Sequence, residues 1–445
     1  MDHYLTRDKP YKAIIKFSIP MIIASLFQQV YTLVDSLIVG KYVGESALAS
    51  IGASFSLTTI FICIAIGGGV GASVLIARYY GARNYIKMKT ATYTSIISFL
   101  IVAIALSVFG LIFSKDIMIL LHTPDKILDL SVLYLDIYFY GLPFLFMYNI
   151  ISALYNSLGE SRIPLYFLIF SSILNVILDI YMVRDLKMGI EGAAYATLLA
   201  QGVSAFFSFI LFLKYMGKFD AKVDNFFDIH ELRLMSRLAI PSIIQQSTIT
   251  IGQVLVQSVV NSFGTEILAG FTSAFRVESL IIVPLTSLGN AVSSYTSQNV
   301  GSGKKMRISE GLRSSLIIVG FICFFICIYL SIYYKSIIGA FMNKSSSKLA
   351  YETGYSYLSF IAFFFVLVGS KQVVDGVLRG LGDVRIFTMS NIVNLSIRVS
   401  LSMIFAPIIG ISMVWYSVPL GWLANLVISS IYYFYLKKRN FTLKF

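Results

Sequence analysis

Only 13% of the 445 residues carry a full charge, about half of the roughly 25% found in soluble globular domains. That shortage excludes a hydrated globular surface over most of the chain. Apolar runs recur instead from end to end, and 57% of the residues are hydrophobic. Runs of about 20 apolar residues are long enough to span a bilayer, so the sequence predicts an all-α polytopic membrane protein. Cysteine is scarce as well: Cys63, Cys323 and Cys327 all stand in apolar runs. They supply neither a disulfide framework nor a zinc site, and Cys323 and Cys327, on one helix face, are read as packing residues. His3, His122 and His230 fall in terminal or loop segments, and nothing resembles a catalytic triad or a metal cluster. The protein is therefore not expected to be an enzyme, and no cofactor is expected.

Nucleotide motifs are missing too. "GGGVGA", residues 67–72, matches G-x-G-x-x-A in form but lies inside an apolar span with no strand before it. Gly67 and Gly71 are read instead as a G-x-x-x-G packing face. "GSGKK", residues 301–305, has Gln298 where a P-loop needs Gly and Lys305 where it needs Ser or Thr. Without a nucleotide site, any transport has to be driven by a gradient.

The net charge of +13 could suggest a nucleic-acid partner, but the basic residues fall in alternate loops. They cluster at Arg7–Lys16, Arg78–Lys89, Lys214–Arg237, Lys304–Arg313 and Lys437–Lys444. Between them, one loop holds Lys41 alone, and residues 264–270 hold no basic residue. This is the positive-inside pattern; it predicts both termini in the cytoplasm and no nucleic-acid partner. A connection with Lys335, Lys344 and Lys348 runs against it without reversing the total bias. The first apolar span is too long for a signal-peptide core and lacks a small-residue cleavage site, so it is expected to be retained.

Twelve spans are expected, near 14–38, 46–76, 90–114, 128–157, 162–183, 189–215, 237–262, 267–299, 310–334, 348–380, 385–408 and 410–436. The longest polar connection, 217–236, divides the chain almost in half. The expected organisation is an N-terminal lobe over 1–216, a cytoplasmic linker over 217–236 and a C-terminal lobe over 237–445. The halves repeat: "FSIP" at 17–20 returns as "LAIP" at 238–241, "YYGARN" at 79–84 as "NVGSGK" at 299–304, and "SLGESRI" at 157–163 as "GLGDVRI" at 380–386. An offset near 220 with six helices between copies gives parallel repeats. Two six-helix bundles around a central cleft are a transporter design.

Within this apolar text some polar residues are costly. Asp35 stands in the first span, and a charge in hydrocarbon costs about 2.5–3.5 kcal/mol or more. It is only ~9 Å along the helix from Lys41, so an interfacial carboxylate reaching for water is one reading. The fifth span places Asn175 and Asp179 on one helix face, and Thr197 in the sixth span lies at the same depth as Asp35 and Asp179. Two carboxylates brought close in a low dielectric cannot both ionise cheaply, so a proton or a cation is expected there. Unconnected interfacial residues are the alternative. The second half lacks this set: its counterparts are Val256 or Gln257, Arg398, Ser402 and Val418. It carries other charges, Arg276 and Glu278, and Lys371, Asp375 and Arg379 at four-residue spacing. For those three a structural salt-bridge ladder is favoured over substrate contact. Gln28 either lines a cleft or packs. Pro143, Pro284, Pro407 and Pro419 lie within spans as hinges or static kinks.

These residues resemble one family. "FSIPMIIASLFQQVYTLVDSLIVGKYVGESALASIG", "SLGESRIP" and "RGLGDVR", with the doubled six-helix pattern, resemble the multidrug and toxic compound extrusion (MATE) transporters over essentially the full length. The resemblance implies a proton- or sodium-driven antiporter that exports amphipathic, cationic organic compounds, in a bacterial inner membrane and as a monomer. It also implies a cation site in the N-lobe at Asp35, Asn175, Asp179 and Thr197, with fourth-helix positions at Tyr134 and Asn149. One departure stands out. A sodium-coupled branch has acids on the seventh and tenth helices, whereas this seventh span has Gln245, Gln246, Thr248 and Thr250, and Asp375 does not align with the other acid. A flippase for lipid-linked saccharides is the alternative within the superfamily, and a non-transporting receptor or scaffold is the alternative outside it.

Overall fold

The computed structural model describes residues 3–223, 225–342 and 347–441. Lys344 and Lys444, counted above among the basic positions, lie outside them. Among the described residues there is no β-strand. After a short helical turn at Tyr4–Arg7, the helices are α1 Pro10–Tyr42, α2 Glu45–Gly81, α3 Tyr85–Leu120, α4 Asp125–Ser157 and α5 Arg162–Asp179. They continue as α6 Gly189–Met216, α7 Ile229–Asn261, α8 Thr265–Gly301, α9 Lys305–Phe341, α10 Lys348–Leu381, α11 Val384–Ile409 and α12 Ser412–Lys438.

Each of the twelve expected spans falls on one of these helices. Eleven are long and apolar enough to cross a membrane. The exception is α7, the least apolar, which carries Gln245, Gln246, Thr248, Thr250, Gln253 and Gln257. Helices of 36 or 37 residues, such as α2 and α3, extend to ~55 Å, well beyond a hydrocarbon core of about 30 Å, so they tilt or project. Two helices depart from α geometry: α5 ends in a π-helical turn, Ile180–Asp185, and a 3₁₀ turn at Ala362–Phe364 interrupts α10.

The repeat is visible in the backbone. Gly44 and Gly264, Gly159 and Gly382, and Gly189 and Gly410 all adopt positive φ at matching turns. Only glycine takes up that conformation without a steric penalty, so the same reversal is encoded twice at each place.

Packing groups the chain into two compact units. One contains the residues up to Ile22 and those from Ile244 onward; the other is Ile23–Ile243. The linker and the first half of α7 therefore pack with α2–α6, and the first half of α1 packs with α8–α12. Both changes occur two residues past a proline, Pro20 in α1 and Pro241 in α7.

In the first unit Ala13, Ile14 and Phe17 are buried in the main core. The segment before α1 is held by Asn299 Nδ2, which donates to the Leu5 carbonyl at 3.1 Å, and by Lys304 Nζ, which donates to that of Thr6 at 2.9 Å. In the second unit Lys89 Nζ donates to the Phe219 and Ala221 carbonyls at 2.7 and 3.0 Å. The Tyr79 hydroxyl donates to Glu231 at 2.9 Å. Here the G-x-x-x-G face finds its partner: a Cβ on Gly67 would stand 2.7 Å from the Ile243 backbone, and one on Gly71 2.7 Å from that of Ala239. Small residues let two backbones approach this closely. Gly71→Val should therefore destabilise the folded protein by ~1–3 kcal/mol, the usual range for overpacking. Thermal unfolding in detergent reads this, and an unchanged melting temperature would remove the contact from the account.

Candidate functional site

Within the Ile23–Ile243 unit, five polar side chains meet. Asp35 comes from the second half of α1, Asn175 and Asp179 from the last turns of α5, Thr197 from α6 and Tyr134 from the beginning of α4. Asp179 is fully buried and Asn175 is 1% exposed. The carboxyl groups of Asp35 and Asp179 face each other within hydrogen-bonding reach. Two carboxylates at that distance repel, and a single shared proton or an intervening cation turns the contact into an attraction. On each acid Oδ1 is buried and accepts no hydrogen bond from another residue. A hard cation binds oxygen atoms of this kind, and so does a second proton.

Asn175 joins the acids to Thr197. The amide orientation that satisfies both of its ends puts Nδ2 2.8 Å from Asp179 Oδ2 and 3.3 Å from the Tyr31 hydroxyl. Its Oδ1 then lies 3.2 Å from Thr197 Oγ1. The reverse orientation instead lets Nδ2 donate to Thr197 Oγ1 at 3.2 Å and turns Oδ1 towards Asp179. The first arrangement suits an ionised Asp179; the second suits a protonated one, which alone could donate to the amide oxygen. The Thr197 hydroxyl also reaches the Ala193 carbonyl of its own helix, at 3.1 Å.

Tyr31 and Tyr134 stand beside the acid pair. Tyr31 escaped the sequence reading, although its place one turn before Asp35 on α1 was a usable signal. A cavity of about 20 Å³ touches Tyr134, Thr197 and Gln201, room for roughly one water. The π-helical turn begins directly after Asp179; such turns are frequent at functional sites because they re-aim the side chains around them.

Asn149, which the family resemblance places at the site, is not brought there. It lies fifteen residues beyond Tyr134 on α4, ~22 Å along the helix, and its Nδ2 donates to the Leu145 carbonyl of the same helix at 2.8 Å. Gln28 is exposed and a turn or more away from Asp35.

The charges of the other unit form separate arrangements. Lys371 Nζ pairs with Asp375 Oδ2 at 3.4 Å, with both groups buried. Asp375 also accepts from Ser429 at 2.8 Å and from Asn391 at 3.3 Å. Arg379 does not extend the ladder to Asp375 by a hydrogen bond; its Nη2 donates to Asn290 Oδ1 at 2.8 Å. Buried Glu278 accepts from the Tyr357 hydroxyl, and Arg276, two residues earlier, is exposed. Among the described residues no group of three or more His, Cys, Asp or Glu is placed to hold a metal ion.

A family model, MatE, matches residues 20–181 and again residues 241–404. The chain belongs to the MatE family. Each MatE match begins at the proline after which its helix changes packing unit, Pro20 or Pro241. The chain is 29% identical to the probable multidrug resistance protein YpnP of Bacillus subtilis, over 85% of this chain and 84% of that one. It is 27% identical to the probable multidrug resistance protein YoeA of the same organism, over 96% and 94%. A solved structure of a MOP superfamily transporter from Pyrococcus furiosus superposes with a TM-score of 0.90 at 24% identity, covering 99% of this chain and 98% of that one. This MatE protein is thus a multi-pass membrane transporter and not an enzyme.

Proposed function

We propose that the protein is a cation-coupled multidrug efflux antiporter. It exports amphipathic, cationic organic compounds by alternating access of two six-helix lobes, with both termini in the cytoplasm and H⁺ or Na⁺ as the coupling ion. The observation that carries the coupling is the facing pair Asp35 and Asp179, with a buried, unpartnered oxygen on each acid. The names of the relatives, multidrug resistance proteins, support the substrate class. Entry of a proton or cation from outside neutralises the pair. The first helix then repacks about Pro20, where it passes from one packing unit to the other, and substrate leaves. Asn175, Thr197, Tyr31 and Tyr134 orient the carboxyl groups through the two binding states. No resident cofactor enters this cycle.

A flippase for lipid-linked saccharides is not favoured. It would call for a strongly basic cavity, and of the three candidate cations Lys371 is neutralised by Asp375, Arg276 is exposed and Arg398 stands near the carboxylate of Glu278.

Proteoliposomes loaded with a fluorescent organic cation separate the coupling ions. Under an imposed proton gradient, inward and acidic on the outside, efflux should accelerate if H⁺ is the coupling ion; under an imposed sodium gradient it should accelerate if Na⁺ is. Efflux indifferent to both gradients would remove cation coupling from the proposal.

A further inference from the structure

A second cavity, of about 170 Å³, lies among α2, α3, α4 and α7 within the Ile23–Ile243 unit, away from the acid pair. Its lining is apolar apart from serines, and two of these, Ser95 and Ser98, donate their hydroxyl protons to carbonyls of their own helix. The cavity therefore makes little demand for a polar ligand. At its rim Ile240 is 57% exposed and Val102 is 43% exposed. Both are apolar, and Val102 stands on α3, one of the membrane-crossing helices, so the opening meets lipid.

The α7 side of this opening carries charge. Arg233 and Arg237 lie one turn apart on the helix stripe that continues to Ile240, and both are exposed. Among the described residues neither forms an ion pair or a side-chain hydrogen bond. Just before α7, Phe226 and Phe227 are exposed too, an aromatic placement typical of a membrane–water interface. Two free guanidinium groups at an interface match a phosphate, which they can bind in bidentate fashion.

The duplicated half supplies a comparison. Lys12, Lys16 and Ile19 repeat the stripe of Arg233, Arg237 and Ile240 at an offset of 221. The small residues of the lining are not repeated: where it has Gly68 and Ala72, the second half has Leu288 and Val292, both buried in the core. An apolar slot beneath a basic pair is thus encoded on the α7 side by small residues.

We propose that this slot is a binding site for an anionic phospholipid of the surrounding bilayer, with its headgroup phosphate on Arg233 and Arg237 and part of one acyl chain in the cavity. Charge complementarity selects the headgroup, and the dry lining selects the chain. A lipid bound there rests on the first half of α7, the segment that ends at Pro241, and so couples the lipid composition of the membrane to that helix.

Native mass spectrometry of the full-length protein in detergent tests the site, with phosphatidylglycerol and phosphatidylcholine as probes. Phosphatidylglycerol should bind about 25-fold more tightly, since each of the two basic residues contributes about fivefold near an anionic surface. Arg233→Gln/Arg237→Gln should remove this preference, whereas Lys12→Gln/Lys16→Gln should leave it. Ser98→Phe, which fills the cavity, should weaken phosphatidylglycerol binding with both arginines intact. Should Ser98→Phe lower the melting temperature, Val102→Trp at the exposed rim gives the same reading. Equal binding of the two lipids, or equal loss in the lysine and arginine double variants, would overturn the site. Full binding by the cavity-filled variant would overturn the seating of the acyl chain.

Discussion

Asp35→Asn should reduce gradient-driven efflux in proteoliposomes to the rate of protein-free vesicles, while the protein stays inserted and folded. The amide has nearly the shape of the acid, so packing around α1 is preserved. What it removes is the ability to give up a proton or to contribute a full negative charge to a cation. The contact between Asp35 and Asp179 would become an ordinary amide–carboxylate hydrogen bond that no longer needs a shared proton. The expected signature is therefore a split: transport is lost, and the melting temperature is equal or higher, because a repulsive buried pair has been relieved. Asp179→Asn should behave in the same way, since the other member of the pair then stands alone. Wild-type efflux in either variant would sink the proposed coupling role. Lost transport with a lower melting temperature would assign the acids to folding instead.

The second large effect concerns the other unit. Lys371→Met should destabilise the protein by ~3–5 kcal/mol, the range measured when one member of a buried ion pair is removed. Lys371 and Asp375 are 5% and 1% exposed, so without the ammonium the carboxylate loses the cation paired with it and keeps its hydrogen bonds from Ser429 and Asn391. The double variant Lys371→Met/Asp375→Leu should recover much of the loss, because it removes the stranded charge and fills the space with apolar atoms. Thermal unfolding of the three proteins in one detergent checks this. If Lys371→Met keeps its melting temperature but loses efflux, the pair belongs to the transport pathway and not to the framework.

Several features of this protein could be derived from one dimension alone. Hydropathy located the twelve helices, because burial in lipid is a property of a single segment. The offset near 220 identified the duplication, and matching positive-φ glycines carry it into the backbone. Four-residue spacing put Asn175 and Asp179 on one face of α5, and counting from the helix ends put them at the depth of Asp35 and Thr197. The same arithmetic pointed to the Lys371–Asp375 pair, which the structure forms at 3.4 Å.

Other features depend on which helices meet and how each is rotated. Tyr31 joins the acids because the face of α1 that carries Asp35 turns towards α5. Asn149 is left out because α4 is long and its side chain bonds within its own helix. Arg379, in step with Asp375 by sequence, is drawn instead to Asn290 on α8. The π-helical turn after Asp179 changes the local period, which a fixed helical count cannot anticipate. Hydropathy also suggested a division at the polar linker, whereas packing assigns the first halves of α1 and α7 each to the opposite unit. The sequence by itself determined what crosses the membrane, what is repeated and which polar residues share a depth, since those follow from apolar length and helical period. The tertiary structure alone decided which of those residues touch, because that is set by close approach at small residues such as Gly67 and Gly71 and by the rotation of each helix about its axis.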